Sequence, residues 1–189
     1  MKKALFLSLL ALLVLSLTTV KAQTSGFNVG IKAGVNYTKM PADLNEVSNE
    51  SGKAGYTVGI FARMGDALFI QPEVNFTTVA SKYAITSQSY HPKIKQVNVP
   101  VLVGYKLINS DALNFRVAVG PDFGYTLNKP DAPAGFDYKR VNVGGAINAG
   151  IDIGNITLDA RYSRGFTNIN KDLDAKANTY SLAVGFKIF

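Results

Sequence analysis

Residues 27–37 read Phe-Asn-Val-Gly-Ile-Lys-Ala-Gly-Val-Asn-Tyr, apolar at every odd position and polar or glycine at every even one. A period of two is the mark of a strand with two unlike faces. The same alternation recurs at about 54–64, 67–77, 95–107, 112–127, 140–153, 155–167 and 178–189. No stretch of residues 23–189 carries the i, i+3, i+4, i+7 stripe of an amphipathic helix. The pattern therefore predicts eight strands and an all-β chain.

The predicted connections alternate in length. Gly65–Asp66, Asn109–Ser110–Asp111 and Gly154–Asn155 are short turns of hairpin chemistry, whereas 38–53, 78–94, 128–139 and 168–177 read as long loops. Eight strands with long loops on one rim and short turns on the other describe an antiparallel up-and-down β-barrel.

The two faces of these strands differ in kind. One face is almost wholly apolar, from Val29, Ile31 and Val35 to Leu182, Val184 and Phe186, and Arg164 is its single charge. The other carries Lys32, Arg63, Glu73, Lys106, Arg116, Asp122, Asp152, Asp159, Arg161 and Lys187, and eleven of the 17 glycines, among them Gly30, Gly104 and Gly150. Glycine weakens a strand, and a face bathed in water has no use for so many. The interior of an eight-stranded barrel is narrow and needs small residues between large ones. The glycine-rich polar face is thus expected inside. Apolar-out and polar-in alternation is the transmembrane β-barrel pattern. A soluble lipid-binding barrel, with the apolar face inside, is the competing arrangement.

Aromatic residues cluster near strand ends. Phe27, Phe69, Tyr105, Phe115 and Phe186 fall toward the short-turn rim, and Tyr37, Tyr56, Phe76, Tyr125, Phe166 and Tyr180 toward the long-loop rim. Two interfacial girdles are expected there. With an even strand number both termini lie on the short-turn side, which is then periplasmic, and the four long loops face outside the cell.

The first 22 residues belong to none of this. A Met1-Lys2-Lys3 start, an apolar run over 4–20 and small residues at Val20 and Ala22 make a secretory signal peptide, with cleavage expected between Ala22 and Gln23. The domain boundaries are therefore 1–22 and 23–189. Lys2, Lys3 and Lys21 sit in the leader, which has no acid, so the net charge of +7 falls to +4 in the mature chain. An exported chain of that modest charge has no nucleic-acid partner to expect.

Composition removes several chemistries. The 189 residues include no cysteine and one histidine, so disulfides, thiolate metal sites and multi-histidine metal sites are excluded. No cofactor is expected. Ser87, Ser89 and His91 share one long loop, but no acid is placed to orient the histidine, so no catalytic residue is assigned. Asp43, Glu46, Glu50, Asp172 and Asp174 are too scattered for a calcium loop. The interior charges have two readings: a permeation path, or a paired internal plug in which Glu73, Asp122, Asp152 and Asp159 neutralise Lys32, Arg63, Arg116 and Arg161. The narrow interior favours the plug, and the individual pairings stay open. Loop lysines, Arg140 and, from the lipid face, Arg164 are candidates to touch lipopolysaccharide phosphates.

Several segments resemble the outer membrane protein β-barrel domain family of Gram-negative bacteria, in its PorT-like group. They are residues 30–36 (GIKAGVN), 69–76 (FIQPEVNF), 99–105 (VPVLVGY), 119–121 (VGP), 158–162 (LDARY) and 184–189 (VGFKIF). The resemblance implies an eight-stranded barrel in the cell outer membrane, among outer-membrane lipid and lipopolysaccharide. It also implies a C-terminal signal, Phe186, Ile188 and Phe189, read by barrel-assembly machinery, although Phe189 is out of phase with the lipid face. It suggests that Pro72, Pro100 and Pro121 are family features, expected to sit at bulges. The function expected is structural or interactive, through the outer loops and a protein partner not identified by the sequence, with a role as accessory to secretion or surface assembly as one version. A narrow transport channel is the alternative.

Overall fold

The structure, a computed structural model, describes residues 26–39, 51–85, 88–90, 93–110, 112–128, 140–167 and 177–189. The leader, Ser87 and His91, and most of the long loops lie outside these residues. The strands are β1 (Phe27–Lys39), β2 (Ser51–Gly65), β3 (Leu68–Ile85), β4 (Gln88–Tyr90), β5 (Lys93–Asn109), β6 (Leu113–Thr126), β7 (Val141–Ile153), β8 (Ile156–Gly165) and β9 (Asn178–Lys187). Each strand is antiparallel to its neighbours, and the three-residue β4 pairs only with the end of β3. β1 pairs with β9, and β2 with both β1 and β3, so eight strands close into a barrel without an edge. Closure satisfies the backbone between strands, as a sheet surrounded by lipid requires.

Side-chain exposure follows the alternation, with its sign reversed relative to a water-soluble protein. Leu68, Leu182 and Ile147 are 66%, 64% and 61% exposed, while Arg63, Arg116 and Asp152 are each 1% exposed. Bulky apolar groups on the outside and ions within reject the soluble lipid-binding barrel and fit a wall that faces hydrocarbon. Five long-loop-end aromatics, Tyr37, Tyr56, Tyr125, Phe166 and Tyr180, are exposed on this wall, as are Tyr105 and Phe186 at the short-turn end. Phe69 is a correction to the expected girdle. It is 2% exposed and sits in the lumen with Leu102, Ala118 and Ala146. Its position is in phase with Gln71 and Glu73, and that phase outweighs its aromatic character.

The turns at Gly65–Asp66 and Gly154–Asn155 form where expected, and Asp111 of the third lies outside the described residues. Gly65 (φ +114°) and Gly154 (φ +54°) take the left-handed conformation that such turns demand. The segment 78–94, expected as a loop, is mostly strand, because β3 runs to Ile85 and β5 starts at Lys93. Residues Val79, Tyr83 and Ile85 have the β-branched and aromatic character that extends a hairpin.

The prolines sit in unbulged ladders, which corrects the expectation. Pro72 pairs with Val101, Pro100 with Asp122 and Pro121 with Gly145. On its other side each proline leaves a gap in the ladder, toward β2, β3 and β5 respectively, with no change of register across the gap. A strand residue aims its N–H at one neighbour only, so a proline costs one partner's bond and the pairs above and below hold the register. The register shifts lie elsewhere, between Gly52 and Thr57 and between Lys106 and Ile108. The second one turns both Leu107 and Ile108 outward, 57% and 49% exposed.

Candidate functional site

Going round the barrel, β2 and β7 stand diametrically opposite, and so do β3 and β8. The lumen side chains of these strands reach each other across the full width. Arg63 Nη1 on β2 donates to Asp152 Oδ2 on β7 at 2.6 Å. Arg161 on β8 donates through Nη2 to Glu73 Oε1 on β3 at 2.7 Å and through Nη1 to Oε2 at 2.9 Å, a two-pronged clamp.

Neutral residues join these two bridges. Arg63 Nε donates to Gln71 Oε1 at 2.7 Å, and Gln71 Nε2 donates to Glu73 Oε1 at 2.7 Å. Arg161 Nε donates to Asn148 Oδ1 at 3.1 Å, and Asn148 Nδ2 donates to Asp159 Oδ1 at 2.6 Å. Arg116 Nη1 donates to the same Asp159 oxygen at 2.7 Å, and Arg116 Nε donates to Asp152 Oδ1 at 3.1 Å. The path Glu73–Arg161–Asn148–Asp159–Arg116–Asp152–Arg63–Gln71 thus returns to Glu73 as a closed ring. Lys32 and Asn75 add two further donors to Glu73, and Thr157 adds one to Asp159. A buried ion is tolerable only when paired and saturated with hydrogen bonds. Glu73, Asp152 and Asp159 meet that condition against Lys32, Arg63, Arg116 and Arg161.

Apolar and small residues shape the space around the ring. The Arg63 guanidinium lies 5.6 Å from the Phe61 ring centroid and 5.4 Å from that of Phe69. Phe69, Leu102, Ala118 and Ala146 form a small apolar layer within the lumen. At Gly150 an added Cβ would strike the Arg116 guanidinium, and at Gly104 it would strike the Phe69 ring. These two glycines are the empty halves of positions whose other halves are an arginine and a phenylalanine.

Other sequence-derived site residues stand outside the ring. Asp122 is half-buried and has one long contact, from Asn98 Nδ2 at 3.5 Å. It lines a polar cavity of about 80 Å³ together with Lys32, Asn75, Asn98 and Arg161. Lys106 lies 3.7 Å from Asp66 at the short-turn rim. At the C-terminus, Phe186 pairs with Ile31 and Ile156, and Ile188 N donates to Val29 O at 2.7 Å. Phe189 follows the end of β9 and is 74% exposed, as its neighbour Ile188 is exposed, so the strand phase no longer governs it. Arg164 is exposed near the long-loop end of β8.

Gln71, Asn148 and Thr157 were not among the residues read from the sequence as the network. All three occupy lumen-phase positions two or four residues from a charge, and that phase was the available signal. Among the described residues no group of three or more metal-ligating side chains converges.

Solved structures share this architecture. OprG from Pseudomonas aeruginosa matches with a TM-score of 0.60 at 11% identity, over 88% of this chain and 97% of OprG. The outer membrane enzyme PagL matches with a TM-score of 0.53 at 12% identity, over 83% of this chain and 98% of PagL. Ail, the attachment invasion locus protein of Yersinia pestis, seen in complex with the heparin analogue sucrose octasulfate, matches with a TM-score of 0.51 at 16% identity, over 87% of this chain and all of Ail. These likenesses are of fold. A search of curated protein sequences finds no significant match. The model of one family, described as outer membrane protein beta-barrel domain, matches residues 21–171, and the chain belongs to that family: it is an eight-stranded β-barrel of the cell outer membrane.

Proposed function

We propose that the protein is a closed, non-conducting barrel, exported by its 1–22 leader, that serves the outer membrane as a structural or interaction protein through its outer loops. The observation that carries this reading is the ring. Three arginines and three carboxylates close it, Lys32 adds a fourth cation, two of its bridges span opposite walls, and an apolar layer lies beside them. Ions passing through would have to displace partners that already hold every carboxylate of the ring with two or more hydrogen bonds. Planar-bilayer recording on refolded mature protein tests it. Silence at physiological salt is expected, and steady open conductance would overturn the plug in favour of a narrow transport channel.

The role is proposed as non-enzymatic. In the ring each carboxylate is held by two or more donors, which leaves it unfit as a general base for a substrate. PagL is an enzyme on the same fold, so the fold itself permits catalysis. Loss of a lipid-modifying activity on His91→Ala would reverse this part of the proposal. A version as accessory to secretion or surface assembly rests on the resemblance to the PorT-like group. Cross-linking in intact cells followed by identification of the captured protein tests that version. Recovery of secretion or assembly components supports it, and recovery of the barrel alone counts against it.

A further inference from the structure

The lipid-facing wall of β8, β9 and β1 carries two stacked rows near the long-loop end. The lower row is aromatic: Tyr162 pairs with Tyr180, and Tyr180 pairs with Tyr37. The Tyr162 and Tyr180 rings touch with centroids 5.1 Å apart. Two residues further toward the loops stands a polar row: Arg164 pairs with Asn178, and Asn178 pairs with Lys39. Strand alternation puts each polar residue on the same face as the tyrosine beneath it. The Tyr162 hydroxyl donates to Asn178 Oδ1 at 3.2 Å and ties the rows together, and the Lys39 ammonium lies 5.8 Å from the Tyr37 ring centroid.

The physical meaning of the arrangement lies in its charge. Arg164 and Lys39 are exposed, and neither has an acidic partner or a hydrogen-bond acceptor among the described residues. A cation on a lipid-facing wall is costly unless it reaches the interface and an anion there. A tyrosine row is where such an interface begins, because the ring is apolar in body and polar at the tip. Two strand spacings put the cationic Cα atoms about 10 Å apart, with an amide between them. Both side chains are long, so the two cations can close on one phosphate or spread to two. A headgroup with separated phosphates and sugar hydroxyls meets both, and the amide as well.

We propose that Arg164, Asn178 and Lys39 form a binding site for the phosphorylated glycolipid of the outer leaflet, its phosphates on the two cations and its acyl chains along the Tyr162–Tyr180–Tyr37 row. The proposal rests on the reading above that the long-loop rim faces outside.

The test uses refolded mature protein in detergent micelles, titrated with bis-phosphorylated lipid A, with the same lipid after phosphatase treatment, and with phosphatidylglycerol. Bound lipid is counted by native mass spectrometry. Arg164→Ala and Lys39→Ala are each expected to weaken lipid A binding roughly tenfold, the scale of a lost charge-assisted contact. Lys106→Ala, at the opposite rim, is expected to leave it unchanged. Heat-modifiable gel migration verifies that every variant is folded. The proposal is overturned if folded Arg164→Ala and Lys39→Ala bind like the wild type, if dephosphorylated lipid A or phosphatidylglycerol binds as tightly as lipid A, or if Lys106→Ala is equally impaired. Orientation is tested apart. The chain has no cysteine, so Ser110→Cys gives a unique thiol at a short turn. Its labelling by a membrane-impermeant maleimide in intact cells would refute the outward placement of the long loops without touching the binding result.

Discussion

Arg161 on β8 holds Glu73 on β3 across the whole diameter of the barrel, with two parallel hydrogen bonds of 2.7 and 2.9 Å. Each of the two residues belongs to a strand that has no ladder with the other's. The contact therefore does for the interior what hydrogen-bonded closure does for the wall: it fixes opposite sides at one distance. Glu73 also accepts from Lys32, Gln71 and Asn75, so a single carboxylate organises five donors from four side chains.

Removing that carboxylate leaves two buried cations short of a partner. Glu73→Ala is expected to destabilise the barrel by about 3–5 kcal/mol, the usual cost of breaking a buried pair from one side. The chain has no tryptophan, so urea unfolding is best followed by circular dichroism and gel mobility. A loss under about 1 kcal/mol would mean that water reaches Lys32 and Arg161 in place of the carboxylate. Lys106→Ala, whose partner Asp66 is exposed, is expected to change stability by no more than about 1 kcal/mol.

Gly150 faces the Arg116 guanidinium so closely that no Cβ fits without moving it. Arg116 bridges Asp152 and Asp159, so displacing it opens the ring at two places. Gly150→Val is expected to cost more than the roughly 1–3 kcal/mol of simple overpacking. Gly154→Ala serves as the comparison. An added Cβ there meets nothing, and only the positive φ of +54° is penalised, by about 1–2 kcal/mol. If Gly150→Val proved as mild as Gly154→Ala, the ring would have slack that its distances do not suggest.

Much of this was legible in the sequence, for a physical reason. A two-residue period is set by backbone geometry, so the strand number, the short turns and the inward face follow from local pattern alone. Which carboxylate meets which cation depends on strand tilt and on distance across the lumen, and neither leaves a local trace. Glu73 is 88 positions from Arg161 in the chain. Phe69 shows the cost of letting residue type outweigh phase: its aromatic ring suggested a girdle, and its position next to Leu68 and Ile70 put it inside. The prolines show the reverse case. Their known dislike of ladders suggested bulges, but the registers around them are continuous, because a missing donor affects one side of a strand only.

Val184, on the outer wall of β9, pairs with Ala33 and Leu158 and stands between Tyr180 of the long-loop row and Phe186 of the short-turn row. Its side chain is 56% exposed and faces hydrocarbon. An ion placed there lies between the two aromatic rows, on the hydrocarbon side of both, with no acid beside it on that face. Val184→Arg is expected to cost about 2–4 kcal/mol in a bilayer, the depth-dependent penalty of a midplane cation on a barrel's lipid face. The same change is expected to cost far less in detergent micelles, which deform around a charge and let water in. Paired unfolding titrations in vesicles and in micelles separate the two. Arg164 supplies the natural contrast: it is a charge on the same kind of wall, tolerated because it stands outward of the tyrosine row. Equal penalties for Val184→Arg in both media would mean that this face of β9 does not meet the bilayer core, and the strand would then have to be covered by another protein.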